Sequence, residues 1–349
     1  MPEPLPRSFC ITLGAMSAAQ LLKHLAGARR YDRAALAAIF GVSDQMIDRW
    51  LNELTSQGIA VAFDHSLVEL RTNIDWLKLE SIEQQSPLPF TVELSLETGS
   101  TSADLQRRVQ QQNIHRLALT TEYQQAGRGR LGRNWRSPIA QNIALSVGWQ
   151  FHNGAALLEG LSLAIGASLA EALEAAFGVS LHLKWPNDLY MGDRKCGGIL
   201  VDVSGDLDRS CAVIVGVGLN LHVTERAGEV IDQPWAALAS ILPPGVSRSK
   251  IVGVMLDALS AVLHDYESTG FGRWHALYSK RDWLAGQSVA IEGGVRLEGQ
   301  AAGISDQGAL LVQSGAELVP VFAGEARLAR RPKRLSDDSS RVPVKRFEP

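Results

Sequence analysis

The 349-residue sequence contains few cysteines, and their number and spacing argue against a disulfide framework and a zinc site. The three are Cys10, Cys196 and Cys211, and no two of them form a C-x-x-C pair. Disulfide frameworks use an even number of cysteines, and structural zinc sites use C-x-x-C pairs. The sequence therefore predicts neither, and it favours a reducing, cytoplasmic compartment.

The sequence also lacks an excess of positive charge and a long apolar run. Its net charge is −3 at pH 7, so any nucleic-acid contact would have to be local. No apolar run approaches the roughly 20 residues that a helix needs to cross a bilayer, which predicts a protein without a membrane partner. With 46% hydrophobic residues, the composition is typical of a globular protein of two or three domains.

Two common nucleotide-binding motifs are missing as well. Gly127, Gly129 and Gly132 fit the pattern G-x-G-x-x-G, but the segment that follows, Asn142–Val147, is a strand-like apolar run and not a helix. A dinucleotide-binding fold needs a helix N-terminus at that point, which excludes this interpretation. No Gly-Lys-Ser/Thr follows, which excludes a P-loop.

The same stretch alternates its three glycines with three arginines, Arg128, Arg130 and Arg133. Glycine loses more backbone freedom on ordering than any other residue, so the empty segment should be mobile. Arginine offers a planar fork of donors that matches carboxylate and phosphate oxygens. The combination predicts a flexible loop, Gln125–Trp135, that closes over an anion.

Residues 17–76 predict a compact N-terminal unit with the element order of a winged helix-turn-helix. Two helix-forming segments precede Gly41, and Ser43 is a good N-cap for a third helix. The expected buried stripe of this third helix is Ile47, Trp50, Leu51 and Leu54. A hairpin with its tip at Asp64–Ser66 follows. The candidate DNA-contacting residues are Ser43, Gln45, Arg49 and Asn52.

The charge of this unit argues against strong DNA binding. Residues 17–80 carry seven Lys or Arg against eight Asp or Glu, whereas a DNA-binding domain normally presents a basic face. Asp44 and Asp48 lie on the solvent side of the third helix, and the hairpin tip has no Lys or Arg. A DNA-binding role and a role in stability or ligand coupling both stay open at this point.

The remaining chain divides into a linker, two further domains and a tail. Residues 77–89 are polar and end in Ser-Pro-Leu-Pro, which predicts a linker. Residues 90–283 alternate strand-like and helix-like segments, and residues 284–329 are short strands with glycine turns, typical of a small SH3-like β-barrel. Residues 330–349 are basic and predict a disordered tail. The predicted fold class is α+β: a winged helix-turn-helix, a central mixed α/β domain and the barrel.

Three short blocks of the central domain together resemble one enzyme family. They are the glycine–arginine stretch Glu122–Arg133, the block Lys184-Trp-Pro-Asn-Asp-Leu-Tyr190, and the block Arg194-Lys-Cys-Gly-Gly-Ile-Leu200. In this order and spacing they resemble the biotin–protein ligases, specifically the bifunctional bacterial form that is also the biotin operon repressor. The resemblance covers nearly the whole chain.

The resemblance implies a two-step reaction. The biotin carboxylate attacks the α-phosphate of ATP, which gives biotinyl-5′-adenylate and pyrophosphate, and a carrier lysine then attacks the activated carbonyl and releases AMP. ATP, Mg²⁺ and biotin as substrate are the expected small molecules. The expected partners are a biotin carboxyl carrier domain of acetyl-CoA carboxylase or a related carboxylase, operator DNA, and a second copy of the chain in an adenylate-bound homodimer.

The resemblance also implies roles for individual residues. The expected catalytic residues are Lys195, Arg130 and Arg128. The expected biotin-binding residues are Ser100, Thr101, Ser102, Gln124, Arg128, Gly129, Arg130 and Lys195. The expected ATP- or adenylate-binding residues are Arg128, Arg130, Arg133, Trp135, Asn187, Asp188 and Asn220. The expected magnesium ligand is Asp188.

Two departures from the family pattern concern biotin and DNA contacts. The family usually has Ser-Thr-Asn where this chain has Ser100-Thr101-Ser102, and it usually has glycine and lysine in the hairpin tip where this chain has Asp64-His65-Ser66. One alternative is therefore a ligase whose N-terminal domain is degenerate and does not bind DNA. Another is a lipoate–protein ligase on the same fold, against which the arginine-rich loop argues.

Overall fold

The computed structural model describes residues 16–28, 30–85, 90–152, 154, 158–205, 210–228, 233–293 and 296–329. The helices in these residues are α1 (Ala18–Ala28), α2 (Arg33–Phe40), α3 (Asp44–Ser56), α4 (Leu79–Gln85), α5 (Thr101–Arg108), α6 (Leu161–Phe177), α7 (Glu225–Gly228), α8 (Arg248–Thr269) and α9 (Gly272–Ser279). The strands are β1 (Arg30–Asp32), β2 (Val61–Phe63), β3 (Leu67–Leu70), β4 (Thr91–Thr98), β5 (Leu117–Arg128), β6 (Asn134–Ser137), β7 (Ile143–Phe151), β8 (His182–Lys184), β9 (Asp188–Met191), β10 (Arg194–Gly205), β11 (Cys211–Leu219), β12 (Ser288–Glu292), β13 (Leu297–Ile304), β14 (Leu310–Ser314), β15 (Glu317–Val321) and β16 (Glu325–Leu328).

The N-terminal unit consists of three helices and a small antiparallel sheet in the order β1-β3-β2. Gly41 ends α2 in the left-handed region, at φ 63°, and the Ser43 hydroxyl caps α3 by accepting from the backbone N–H of Met46 at 3.3 Å. The buried residues of α3 are Ile47, Trp50, Leu51 and Leu54, which confirms the predicted stripe. Strand β1 was not predicted, since three polar residues give no alternating pattern.

The N-terminal unit packs directly on the central domain. Ile139 and Ala140 of the central domain are buried in the same apolar cluster as the residues of α1 and α3. The side-chain carbonyl of Gln57 accepts from the Ile139 N–H at 2.8 Å, and the Gln57 backbone carbonyl accepts from the Gln141 side-chain amide at 2.6 Å. The unit is therefore joined to the central domain by a shared core and by hydrogen bonds.

The predicted linker is largely structured. Within residues 77–89, residues 79–85 form α4, and both Leu77 and Ile82 are buried in the main core. The polar composition concealed this helix because only one of its faces is apolar. Residues 86–89, like the predicted tail 330–349, lie outside the described residues.

The central domain contains an eight-stranded mixed sheet in the order β4-β5-β7-β11-β10-β9-β8, with β6 paired to β5. Strands β4 and β5 are parallel, and the other pairs are antiparallel. Alternate residues of β7 and β11 are buried among α6, α8 and α9 in the main core. The opposite face meets α5, where Leu105 packs with Leu119 and Ile214. The fold is thus a mixed α/β sheet with helices on both faces.

The C-terminal unit is an open five-stranded antiparallel sheet in the order β15-β14-β13-β12-β16. The predicted closed barrel is wrong, because a barrel requires its first and last strands to be hydrogen-bonded to each other. Here β15 pairs with β14, β16 pairs with β12, and no ladder joins these two edges in the described residues. Val289, Ile291 and Leu310 share the main core with α6 and α8, so this sheet packs tightly on the central domain.

None of the helices within the described ranges is both long and apolar enough to cross a membrane.

Candidate functional site

A cavity of about 750 Å³ lies between the β5–β6 hairpin, the N-terminus of α5, strands β9 to β11 and the edge strand β16. The predicted ligand residues all line it: Ser100, Thr101, Ser102, Gln124, Arg128, Gly129, Arg130, Arg133, Trp135, Asn187, Asp188, Lys195 and Asn220. Three distant sequence blocks thus meet at one site. The candidate DNA-contacting residues lie elsewhere, on α3 and at its N-cap.

One end of the cavity is a buried, uncharged cluster of hydrogen-bonding groups. Ser100 caps α5, and the Gln124 side-chain oxygen accepts from the Thr101 backbone N–H at 3.0 Å and from its hydroxyl at 3.2 Å. The Ser146 hydroxyl lies 2.7 Å from that of Thr101 and 2.9 Å from that of Ser102. Such a cluster can bind a neutral polar group by exchanging these hydrogen bonds for ligand contacts.

Glycines in β11 make room for this cluster and for an aromatic ring. A Cβ on Gly216 would lie 2.5 Å from the Ser102 hydroxyl oxygen. A Cβ on Gly218 would lie 2.4 Å from Cε2 of Trp135, so the indole ring rests directly on this strand. The Trp135 Nε1–H is buried and has no hydrogen-bond partner among the described residues. Because Trp135 lines the cavity, this unpartnered donor is available to a ligand acceptor.

The other end of the cavity is cationic. The Lys195 ammonium lies 2.7 Å from the Asp188 carboxylate, and both side chains are only 15% exposed. Arg130 donates to the Asn187 side-chain oxygen at 3.4 Å. Burial lowers the pKa of Arg130 and that of Lys184. Desolvation raises the free energy of these charges, and an anionic ligand bound here would lower it.

The glycine–arginine segment is a β-hairpin. Gly127 pairs with Trp135 and Arg128 with Asn134, with a register shift between Gln124 and Gly127 and an irregular tip at Gly129–Arg133, whereas the sequence predicted a loop across Gln125–Trp135. The difference has a steric origin, since a Cβ on Gly127 would lie 2.5 Å from the Trp135 carbonyl oxygen and only glycine permits this approach.

The C-terminal sheet holds the tip of this hairpin. Arg133 forms an ion pair with Glu325, and Arg130 donates to the Gly324 carbonyl at 3.4 Å. Burial tends to raise the pKa of Glu325, but the hydrogen bond and charge of Arg133 and the charge of Arg327 hold it below its ordinary value. The edge strand β16 therefore completes the cavity.

Sequence reasoning missed several cavity residues. Lys184 lies in the second sequence block, but no role was predicted for it, although a lysine three residues before Asn187 was an available signal. Ser146 and Glu325 were given no role either, because only the folded sheets bring their strands to the cavity.

The carboxylates of the site are the candidate ligands of the expected magnesium ion. The described residues contain no cluster of three His, Cys, Asp or Glu side chains that could hold a metal alone. Mg²⁺ in phosphate chemistry is usually held by one or two carboxylates, with waters and substrate phosphates completing its shell. Asp188, at the cationic end, fits such a one-carboxylate arrangement.

Comparison with known families matches two parts of the chain. Residues 96–220 match the biotin/lipoate A/B protein ligase family, and residues 285–328 match the biotin protein ligase C-terminal domain.

Individual relatives give the same picture. The chain is 36% identical over 214 residues to the bifunctional ligase/repressor BirA of Escherichia coli, a match that covers 60% of this chain and 66% of the relative. It is 32% identical over 245 residues to the biotin–[acetyl-CoA-carboxylase] ligase of Mycobacterium tuberculosis, covering 66% of this chain and 85% of the relative. Among solved structures, the biotin protein ligase of Aquifex aeolicus in complex with biotin and ATP matches with a TM-score of 0.59 and 28% identity, covering 69% of this chain and 99% of the other.

Proposed function

The chain belongs to the biotin protein ligase family, and from that premise we propose that it activates biotin with ATP and transfers the biotinyl group to a lysine of a biotin carboxyl carrier domain. The observation that carries this proposal is the polarity of the cavity. A neutral hydroxyl and amide cluster lies at one end and a group of buried or half-buried cations at the other. Biotin has the same polarity, with an uncharged ureido ring and an anionic carboxylate.

The first step joins two anions, the biotin carboxylate and the α-phosphate of ATP. The carboxylate oxygen attacks phosphorus, pyrophosphate leaves, and a mixed anhydride, biotinyl-5′-adenylate, is formed. Arg128, Arg130 and Lys195 supply positive charge where negative charge develops on the phosphoryl oxygens. The neutral cluster around Thr101 and Gln124 holds the ureido ring, so that the carboxylate faces the cations.

Asp188 and Asn187 are assigned to the phosphate region. Asp188 would hold a magnesium ion against the ATP phosphates, and the ion would neutralise part of their charge. In the structure its carboxylate pairs with Lys195 at 2.7 Å, which orients the ammonium towards the cavity. Trp135 and Asn220 line the part of the cavity assigned to the nucleotide.

In the second step the neutral amine of the carrier lysine attacks the anhydride carbonyl, an amide bond forms and AMP leaves. The anhydride must be protected from water until the carrier arrives. The β5–β6 hairpin covers this region, and its contacts with Gly324 and Glu325 hold it in place. Loop closure of this kind excludes water from reactive intermediates.

Biotin-dependent exchange of labelled pyrophosphate into ATP tests the proposed activation step. We expect exchange with biotin and none above background with lipoate. Exchange with lipoate alone would favour a lipoate–protein ligase, which the family description also includes. Absence of exchange with either acid would contradict the proposal.

We propose a second role, biotin-responsive repression of transcription, for the N-terminal unit, which we interpret as a winged helix-turn-helix. The supporting observation is the surface of α3, where Ser43, Gln45, Arg49 and Asn52 are all exposed. Arg33 forms an ion pair with Asp48, which removes one acidic charge from this surface. The hydrogen bonds from Ser66 and Leu67 lower the pKa of Asp64 to about 2, so the hairpin tip stays negative. Any operator contact is therefore weak for each copy.

Weak contacts become effective when two copies bind together. Two half-site modules joined in a homodimer gain effective concentration without new base contacts. Mobility-shift titrations on biotin-synthesis promoters should show binding only with biotin and ATP, and steep loss of binding as salt rises. Absence of binding under all conditions would favour the ligase-only alternative, and tight binding by the ligand-free monomer would contradict the charge argument.

We also propose that the protein acts in the cytoplasm. Cys196 and Cys211 are buried free thiols, and burial raises the pKa of Cys196 to about 12, which keeps it protonated and inert. Unpaired thiols are typical of a reducing compartment.

A further inference from the structure

A buried arginine outside the cavity connects four separate segments of the chain. Arg248 is the first residue of α8 and is 0% exposed. Its guanidinium donates to the Glu122 carboxylate at 2.5 Å and to the Asp75 backbone carbonyl at 3.0 Å. Two further N–H groups donate to the Asn142 carbonyl at 3.2 and 2.6 Å. Its own backbone N–H donates to the Asp75 carboxylate at 2.6 Å.

The first of these contacts leads to the neutral end of the cavity. Glu122 is 4% exposed, and its second oxygen accepts from the Leu77 backbone N–H at 2.6 Å. Glu122 lies two residues before Gln124 on β5, so the two side chains share one face of the strand. Gln124 in turn accepts both hydrogen bonds from Thr101. The position of Arg248 therefore helps to fix the Gln124 side of the cavity.

The contacts of Arg248 with the Asn142 carbonyl lead to the nucleotide side of the cavity. The Asn142 side-chain amide donates to the Asn220 side-chain oxygen at 3.2 Å, and its side-chain oxygen accepts from the Leu221 N–H at 3.1 Å. Asn220 lines the cavity. Arg248 thus forms hydrogen bonds with the segments that carry both walls of the cavity, while it lies outside the cavity itself. Its contacts with Asp75 connect it to the end of the N-terminal unit.

A buried ion pair of this kind contributes little to the stability of the folded state. Desolvation of both charges offsets their attraction, and replacing such a pair by apolar residues of similar volume is often neutral or stabilising. A buried pair with six polar contacts is better suited to fixing one geometry. We propose that Arg248 is a positioning residue for the biotin and adenylate pockets, acting through Glu122 and Gln124 on one wall and through Asn142 and Asn220 on the other. This inference rests on the proposed ligase function.

The test uses a double variant of the full chain, Arg248→Met with Glu122→Met, which removes both buried charges at once. Because no unpaired charge is left, we expect it to fold. Its melting temperature should lie below that of the wild type, because the Leu77 N–H and the carbonyls of Asp75 and Asn142 lose their partners. We expect its dissociation constant for biotin, measured by calorimetry, to rise at least tenfold, and its KM for ATP to rise with it. A second variant, Arg248→Lys, keeps the charge but cannot make the forked contacts to Asn142, and we expect an intermediate rise.

The control removes another cross-segment ion pair, Arg281 with Glu174, which is more exposed and does not line the cavity. Arg281→Met with Glu174→Met should leave biotin affinity unchanged. Wild-type biotin affinity in a folded double Arg248/Glu122 variant would overturn the inference. If that double variant does not fold, wild-type affinity in Arg248→Lys would overturn it instead. Failure of the wild type itself to bind biotin would refute the proposed function, which separates the two failures.

Discussion

The two glycines of β11 allow the two ends of the cavity to be perturbed separately. Gly218→Ala would place a methyl group 2.4 Å from Cε2, 2.7 Å from Cζ2 and 2.7 Å from Nε1 of Trp135. Real Cβ atoms do not approach heavy atoms this closely, so the indole ring must move by roughly 1 Å. The ring cannot move into the strand, and it should therefore shift into the part of the cavity assigned to the nucleotide.

The expected size of the effect follows from packing energetics. Insertion of one methyl group into a well-packed site costs about 1–3 kcal/mol. If most of this cost appears when ATP binds, the KM for ATP should rise about 5- to 150-fold. The KM for biotin should change much less, since the hydrogen bonds of the neutral cluster do not involve Trp135. Steady-state pyrophosphate exchange at varied ATP and varied biotin measures both constants.

Gly216→Ala is the complementary change. Its methyl group would lie 2.5 Å from the Ser102 hydroxyl oxygen, next to Ser146, and should raise the KM for biotin instead. Gly99→Ala is the control, because a Cβ there meets nothing within 4 Å. A rise in the KM for biotin alone in Gly218→Ala, or for ATP alone in Gly216→Ala, would refute the assignment of the two ends.

Three further changes test other roles. Arg130→Ala should release free biotinyl-adenylate, because each charge-assisted hydrogen bond from this side chain is worth about 1.5–3 kcal/mol; retention as tight as in the wild type would contradict the role of the hairpin. Lys195→Ala should slow adenylate formation from ATP far more than transfer from supplied biotinyl-adenylate, whereas equal losses would remove its catalytic role. Burial raises the pKa of Asp282 from 3.8 to about 6, so the folded state holds a proton that the unfolded chain releases, and stability falls as pH rises through this window. Asp282→Asn should remove this fall, which amounts to up to about 3 kcal/mol in the free energy of unfolding at pH 7. An unchanged profile of melting temperature against pH would show that another group titrates.

Sequence patterns predicted the features that depend on near neighbours along the chain. The stripe of α3, its Ser43 cap and the turn at Gly41 follow from helical periodicity and from local backbone preferences. The predicted ligand residues came from a family resemblance, and the structure brings them together in the cavity. Which ligand atoms each residue contacts stays a prediction.

Features that depend on long-range pairing were not predictable in the same way. The ion pair of Arg133 with Glu325 joins residues 192 positions apart, and that of Arg248 with Glu122 joins residues 126 apart. The open C-terminal sheet likewise depends on which strand edges meet in the folded chain. Glycine turns and short strands are common to open sheets and barrels, so composition could not separate the two.

The central claim, that this chain attaches biotin to a carrier lysine, is tested most directly by mass spectrometry of a biotin carboxyl carrier domain. The domain is incubated with the full-length protein, ATP, Mg²⁺ and either biotin or lipoate. We predict a mass increase of one biotinyl group, located on a single lysine, only when biotin and ATP are both present. A lipoyl adduct, or an unmodified carrier in the complete biotin reaction, would contradict the account.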